Sequence, residues 1–332
     1  MPAILARVTD GSRVFCRRDT RPGCAGAMPE HPLVIAHRGA SGYRPEHTLA
    51  SYRLAIALGA DHVELDLVTT RDGVLVARHE HELSRTTDVA ERSRYADRLT
   101  TRLVDGHEVT GWFSEDFTLA ELKTLGAVER QPELRPRNTR YDRRYDVPTL
   151  DEVLALVVDE SRRLGRGIGV CLEIKNAMHF ASIGLPVEEP LLAALAAHRL
   201  PVHVMAFEQG FLRSLRGRTG LPLVQLVGAT GRVDLVTGTG LRRVAQYADA
   251  VGLEKDLVSP GLVGSAHEAG LEVFVWTLRD EVDSIEDAQE LVDAGVDGLI
   301  TDHPDTTLEA LRLHASGTGR RHTSGIRIHA AT

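Results

Sequence analysis

Two acids stand two residues apart in an apolar run, Glu64 and Asp66 in HVELDLV. In a strand, residues i and i+2 share a face, so both carboxylates point one way and Val63, Leu65 and Leu67 the other. If the apolar side meets covering helices, the acids face a barrel interior. There they are costly unless a cation satisfies them. An all-oxygen site suits one hard divalent ion, Ca2+ or Mg2+. The competing reading is a strand edge carrying two solvated acids. A second pair, Glu173 and Lys175, repeats the spacing at the end of GVCLEIK. Glu173 can complete a three-carboxylate metal site, and Lys175 adds a charge for a phosphate oxygen. Taken alone, this pair reads equally well as a structural salt bridge.

His37-Arg38-Gly39 ends another apolar run. Arg suits bidentate contact with phosphate, and His suits proton transfer near neutrality. His79 and His81 supply candidates for a second acid/base group. Each motif is weak by itself. Together they provide two bases, two fixed positive charges and a metal site, which is the inventory of phosphodiester hydrolysis. Cations neutralise the phosphate as charge develops, and two His exchange protons with nucleophile and leaving group.

The elements that must position these groups alternate. Strands are expected at 33–36, 62–67, 168–174, 202–206, 223–227, 250–253, 272–277 and 298–301. Helical patterns are expected at 48–58, 150–163, 190–197, 210–215, 241–248, 260–269 and 284–294. Such alternation implies βαβ units and a parallel sheet. Eight strands close a (β/α)8 TIM barrel, whose C-terminal rim carries catalysis. The run at 74–77 follows the second strand too soon for a parallel crossover. Asp72-Gly73 is a strong two-residue turn signal, so 66–79 reads as a hairpin arm. With Asp72-Gly73 at its tip, facing residue numbers sum to 145. Asp66 then lies opposite His79, and Glu64 opposite His81. Residues 86–147 are polar, rich in Arg and Asp, and lack a strong strand series. They read as an insertion beside the barrel mouth, with one short helix at 119–125 capped by Thr118 and Glu121.

The chain has 332 residues, 42% of them hydrophobic, and a net charge of −8. That supports one decorated barrel spanning 33–312, flanked by a poorly ordered arm, 1–32, and a disordered tail, 313–332. An acidic balance argues against a nucleic-acid partner. No run approaches the roughly 20 apolar residues of a membrane span, and the first 30 residues lack the apolar stretch of a secretory signal. A cytoplasmic location is therefore expected. Three cysteines, Cys16, Cys24 and Cys171, do not make a disulfide framework. Cys171 reads as a buried thiol.

The segments AHRGASGYRPEHT, GADHVELDLVTTRDGVLVARHEHELSRTTDVA, CLEIK, VWTLRD and GLITDHPD resemble the signature regions of glycerophosphodiester phosphodiesterases. HEHELSRTTDVA, the long insertion and QYADAVG resemble the bacterial GlpQ-type branch. The resemblance implies cleavage of a small-molecule glycerophosphodiester to sn-glycerol 3-phosphate and an alcohol with a divalent cation. By position it makes His37 and His79 the acid/base pair and Glu64, Asp66 and Glu173 the metal ligands. Arg38 and Lys175 become phosphate contacts. Glu46 falls at the mouth, either binding metal or orienting His37. Trp276 matches an aromatic at the mouth, where simple packing is the alternative, and His81 completes the expected substrate-binding set. Family members are thought to use a glycerol hydroxyl as nucleophile through a cyclic phosphate. One departure is Glu80, where the family commonly has Asp after the second His. Three rival readings are a lyase that stops at the cyclic phosphate, a silent phosphodiester-binding barrel, and a metal-dependent aldolase or isomerase.

Overall fold

Short β-branched runs pair side by side in the computed structural model, which describes residues 31–104 and 106–317. In chain order the strands are β1 (Leu33–Ala36), β2 (His62–Thr69), β3 (Leu75–Ala77), β4 (Thr100–Val104), β5 (His107–Gly111) and β6 (Gly169–Ile174). They continue with β7 (Val202–Ala206), β8 (Leu223–Val227), β9 (Ala250–Glu254), β10 (Glu272–Leu278) and β11 (Gly298–Thr301). β1, β2 and β6 to β11 form a parallel sheet, and β1 pairs with both β2 and β11, which closes the ring. This is a (β/α)8 barrel. Helices return the chain between strands, as expected from periodicity. Leu49–Leu58 starts on a Thr48–Ser51 capping box, and Gly59 ends it with a φ of 107° that a side chain would resist. Leu150–Leu164 begins on a Thr149–Glu152 capping box.

Residues 1–30 of the expected arm and 318–332 of the expected tail lie outside the described residues. The last helix, Pro304–Ala315, nonetheless runs past the expected boundary at 312. No described helix is long and apolar enough to cross a membrane.

Two corrections concern the mouth. The insertion was expected to lack a strong strand series, yet β4 and β5 form an antiparallel hairpin there. Its alternation is hidden because it packs little: Leu103 is exposed. Elsewhere the insertion has an apolar core, with Val89, Phe113, Phe117 and Leu122 fully buried.

The second correction is the arm's register. β2 and β3 pair antiparallel, but Leu67 faces Ala77 and Thr69 faces Leu75, so facing numbers sum to 144. The turn is one residue longer than expected. Thr70 donates to the Val74 carbonyl at 3.0 Å, leaving Arg71, Asp72 and a left-handed Gly73 as a three-residue loop. Arg78, not His79, therefore pairs with Asp66, donating its N–H to the Asp66 carbonyl at 3.0 Å. A one-residue slip exchanges faces.

Inside the barrel the alternation builds tiers. Ile35, Cys171, Met205, Val224, Phe274 and Ile300 form an apolar plug. One step below, His62 and His203 are buried with ring centroids 5.6 Å apart. His62 fits because its register partner is Gly169, whose added Cβ would fall 2.0 Å from His62 Nε2. Burial depresses the pKa of His62 to about 3 and that of His203 to about 4. Unfolded His titrates near 6.5. The unfolded chain thus binds protons that the folded chain refuses, and stability is lost as pH falls from about 6.5 towards 4. Each His contributes up to roughly 1.4 kcal/mol per pH unit in that window. Urea unfolding at pH 7 and pH 5 should show a steeper loss for the native chain than for a His62→Gln, His203→Gln double variant. Equal slopes would contradict this.

Candidate active site

One step above the plug, the same alternation turns polar. Ile35 is followed two residues on by His37, Cys171 by Glu173, Phe274 by Trp276 and Ile300 by Asp302. On β2, Glu64 and Asp66 occupy the inner face and pair in register with Cys171 and Glu173 of β6. Ligand oxygens of Glu64, Asp66 and Glu173 lie within 4.8 Å of one another, and all three residues are buried. Glu64 Oε2 accepts the Arg38 N–H at 2.8 Å. Glu64 Oε1 is buried with no hydrogen-bond partner among the described residues. An orphaned carboxylate oxygen inside a triangle of acids is what a hard divalent cation satisfies, so the residues fit the implied metal.

The charges behave accordingly. Burial, then Asp66 and Glu173, pushes the Glu64 carboxyl well above the usual range. Burial raises Glu173 to about 7 despite the opposing Lys175 charge, with Asp66 adding to the rise. Asp66 goes the other way: burial opposes its charge, but Lys175, His79 and Arg38 hold it well below the usual range. Lys175 Nζ lies 3.0 Å from Asp66 Oδ1 and also pairs with Glu173. Arg38 Nε sits 3.2 Å from Asp66 Oδ2. Arg38 and Asn176 flank these groups with left-handed backbones, φ 56° and 49°, the sort of strain that gathers at functional sites.

The two expected acid/base groups differ. His37 donates from Nδ1 to Asp302 at 2.6 Å. Burial and the Arg38 charge lower its pKa, while Asp302 pulls it up. His79 follows β3, with Nδ1 2.8 Å from Glu80 and its side chain about a third exposed. Burial, then Arg38 and Lys175, lowers it to about 4, against the fields of Asp66 and Glu80. Both rings are thus driven towards the neutral form. Trp276 stands on the inner face above Phe274, donating Nε1 to the Gly252 carbonyl at 3.0 Å, with Phe207 edge-on at 5.9 Å.

Two expectations move. Glu46 does not orient His37: Arg38 meets it at 3.1 Å, and Arg130 donates to both its oxygens at 2.6 and 2.8 Å. Burial opposes its charge, but those two cations hold its carboxyl well below the usual range. His81 does not face Glu64. The changed register turns it into the insertion, where its Nδ1 lies 3.1 Å from Glu115.

Sequence reasoning missed several groups. His47 bridges Asp66 (2.9 Å) and the Tyr52 hydroxyl (2.8 Å). Arg130 links Glu46 to Glu80. Arg135 donates to Asp302 at 2.5 Å and to Glu281 at 2.6 Å. Asp302 was discoverable, because it continues the 298, 300 alternation one residue past the last strand. Arg130 and Arg135 gave no local signal.

Comparison with known proteins agrees with this geometry. The model of the glycerophosphoryl diester phosphodiesterase family matches residues 37–306. Glycerophosphodiester phosphodiesterase GDPD6 of Arabidopsis thaliana is 31% identical over 82% of this chain and 83% of its own length. A glycerophosphodiester phosphodiesterase of Bacillus subtilis is 31% identical over 83% of this chain and 85% of its own. An Oleispira antarctica phosphodiesterase, solved with its product sn-glycerol-3-phosphate, superposes with a TM-score of 0.66 at 25% identity, covering 85% of this chain and 97% of that one.

Proposed function

The chain belongs to the glycerophosphoryl diester phosphodiesterase family and is a glycerophosphodiester phosphodiesterase, and on that premise we propose how its own residues do the work. The product is sn-glycerol 3-phosphate, a reading supported by the product held in the Oleispira antarctica structure. The observation that carries the proposal is the single inner ring that joins three carboxylates, Arg38, Lys175, His37 and His79. Glu64, Asp66 and Glu173 would hold the Ca2+ or Mg2+, which supplies positive charge against the phosphate oxygens. Arg38 and Lys175 hold the phosphodiester from the other sides. Their positions are fixed beforehand by Glu46, Asp66 and Glu173, so little reorganisation accompanies the reaction.

His79, neutral near pH 7, takes the proton from the glycerol 2-hydroxyl as that oxygen bonds to phosphorus. His37, whose imidazolium Asp302 stabilises, gives a proton to the departing alcohol oxygen as its P–O bond breaks. Water then opens the cyclic phosphate with the roles exchanged. Trp276 and Phe207 form an aromatic wall suited to the headgroup. The HEHELSRTTDVA stretch and the long insertion support placement in the GlpQ-type branch. Incubation of glycerophosphocholine with the enzyme and Mg2+ or Ca2+ should release sn-glycerol 3-phosphate and choline in equal amounts. Failure to cleave any glycerophosphodiester in a headgroup panel would sink the reading.

Asp302 is a positioning residue in this scheme. Asp302→Asn keeps the shape but removes the charge that raises His37. The His37 pKa then falls further, so less acid is present at a given pH. kcat should drop about 10²-fold or more, KM should move less, and the pH optimum should shift downwards. An unchanged pH profile would mean that Asp302 is merely structural.

A further inference from the structure

Outside the catalytic ring, three side chains meet that the proposed reaction does not use. His81 leaves the end of the hairpin arm, Glu115 lies in the short turn Ser114–Asp116 of the insertion, and His179 lies in the helix Ala177–Ser182 that follows β6. Their ligand atoms all fall within 4.8 Å of one another. His81 Nδ1 is 3.1 Å, and His179 Nε2 3.2 Å, from the same Glu115 oxygen. Ligands about 2.0–2.1 Å from a tetrahedral ion stand roughly 3.3 Å apart, so the two spacings to Glu115 match edges of such a site, and the two imidazole nitrogens lie within 4.8 Å of each other. His81 is buried, and its Nε2 has no hydrogen-bond partner among the described residues. The ring is therefore anchored through Nδ1 on Glu115 alone.

We propose that His81, Glu115 and His179 bind a second metal ion, of the Zn2+ class, distinct from the hard cation of the carboxylate triad. Two imidazoles and one carboxylate form a borderline-soft set that selects Zn2+ or Co2+ over Ca2+ and Mg2+. The carboxylate is aimed by its neighbours. Arg102 holds the shared Glu115 oxygen at 2.5 Å and Asp116 at 2.7 Å, which leaves Glu115 Oε2, 3.2 Å from His81 Nδ1, as the oxygen for the ion. Such outer contacts orient metal ligands. A cavity of about 470 Å3, lined in part by Arg102, Glu115, His179 and Leu185, opens the site to solvent. It gives an entry path and room for a water as fourth ligand. The ion would tie three separate segments together: the arm two residues beyond His79, the insertion, and the helix four residues beyond Lys175. Its role is thus to fasten the insertion to the barrel.

The test keeps the triad filled. The purified enzyme is equilibrated with excess Ca2+, dialysed against Zn2+ or Co2+, and its bound metal is counted. One Zn2+ per chain should be retained, and Co2+ should give the strong visible absorption of a four-coordinate site. His179→Ala should weaken that binding at least 10-fold, whereas Glu173→Gln should leave it intact. Circular dichroism confirms that the variant folds; if His179→Ala does not, His179→Asn reads the same loss. Retention of no Zn2+ overturns the proposal. So does Zn2+ that survives His179→Ala but is lost with Glu173→Gln, since the ion would then sit on the triad.

Discussion

His79→Ala should lower kcat by about 10²–10⁴-fold, the worth of a positioned acid–base group, while KM and metal affinity change far less. The expectation rests on where the ring stands. It is held at the base of the arm, within the fields of Asp66, Arg38 and Lys175, and Glu80 lies 2.8 Å from its Nδ1. Glu80 is itself gripped by Arg130, so the carboxylate beside the ring has little freedom to swing. Its pKa of about 4 keeps it unprotonated at neutral pH, as a base must be. Below that value it charges and the forward reaction should fade, giving an acid limb to the rate profile that disappears in the variant. His81→Ala should cost much less, since its ring turns away from the triad to Glu115. Steady-state kinetics on the two variants decide the matter: a larger loss for His81→Ala would mean that the wrong histidine had been chosen.

The second large effect is metal removal. EDTA should take activity to background, and added Ca2+ or Mg2+ should restore it. Three buried carboxylates this close repel one another, and without a cation the cluster resolves the conflict by holding protons. Glu64 is pushed up strongly and Glu173 to about 7. A cation must displace those protons, so its apparent affinity should rise as pH increases through about 7 and weaken below it. Glu64→Gln and Asp66→Asn should each raise the metal concentration needed for half-maximal rate. Asp66→Asn should be worse, because it also strips Arg38, Lys175 and His47 of their shared partner. Full turnover in chelator would end the metal assignment.

Much of this was legible because period-2 alternation is strict. HVELDL and GVCLEIK put their acids on the inner face whatever the rest of the chain does, and the plug below them is equally regular. The helix spans 48–58 and 150–163 were legible from periodicity, and the capping boxes at Thr48 and Thr149 fix their starts. The hairpin register was not, since Asp72-Gly73 serves both two- and three-residue turns. The longer one wins here because Asp72 Oδ1 is held twice: it accepts from the Thr70 hydroxyl at 2.7 Å and from the Leu119 N–H at 2.9 Å. The second contact comes from the insertion, which no local pattern announces. The same holds for Arg130 and Arg135. Each reaches a carboxylate more than 80 positions distant in the chain. Only the folded insertion makes Glu46 a brace for Arg38 rather than a partner of His37.

The most direct measurement is a ³¹P NMR time course with glycerophosphocholine, run with saturating Mg2+ or Ca2+ on the native chain and on His79→Ala. The expected result is loss of the diester resonance and growth of sn-glycerol 3-phosphate, with a transient cyclic phosphate that does not persist, and near-silence in the variant. A cyclic phosphate that accumulates as the end product would contradict hydrolysis. An unchanged diester in the native sample would contradict the assigned activity itself.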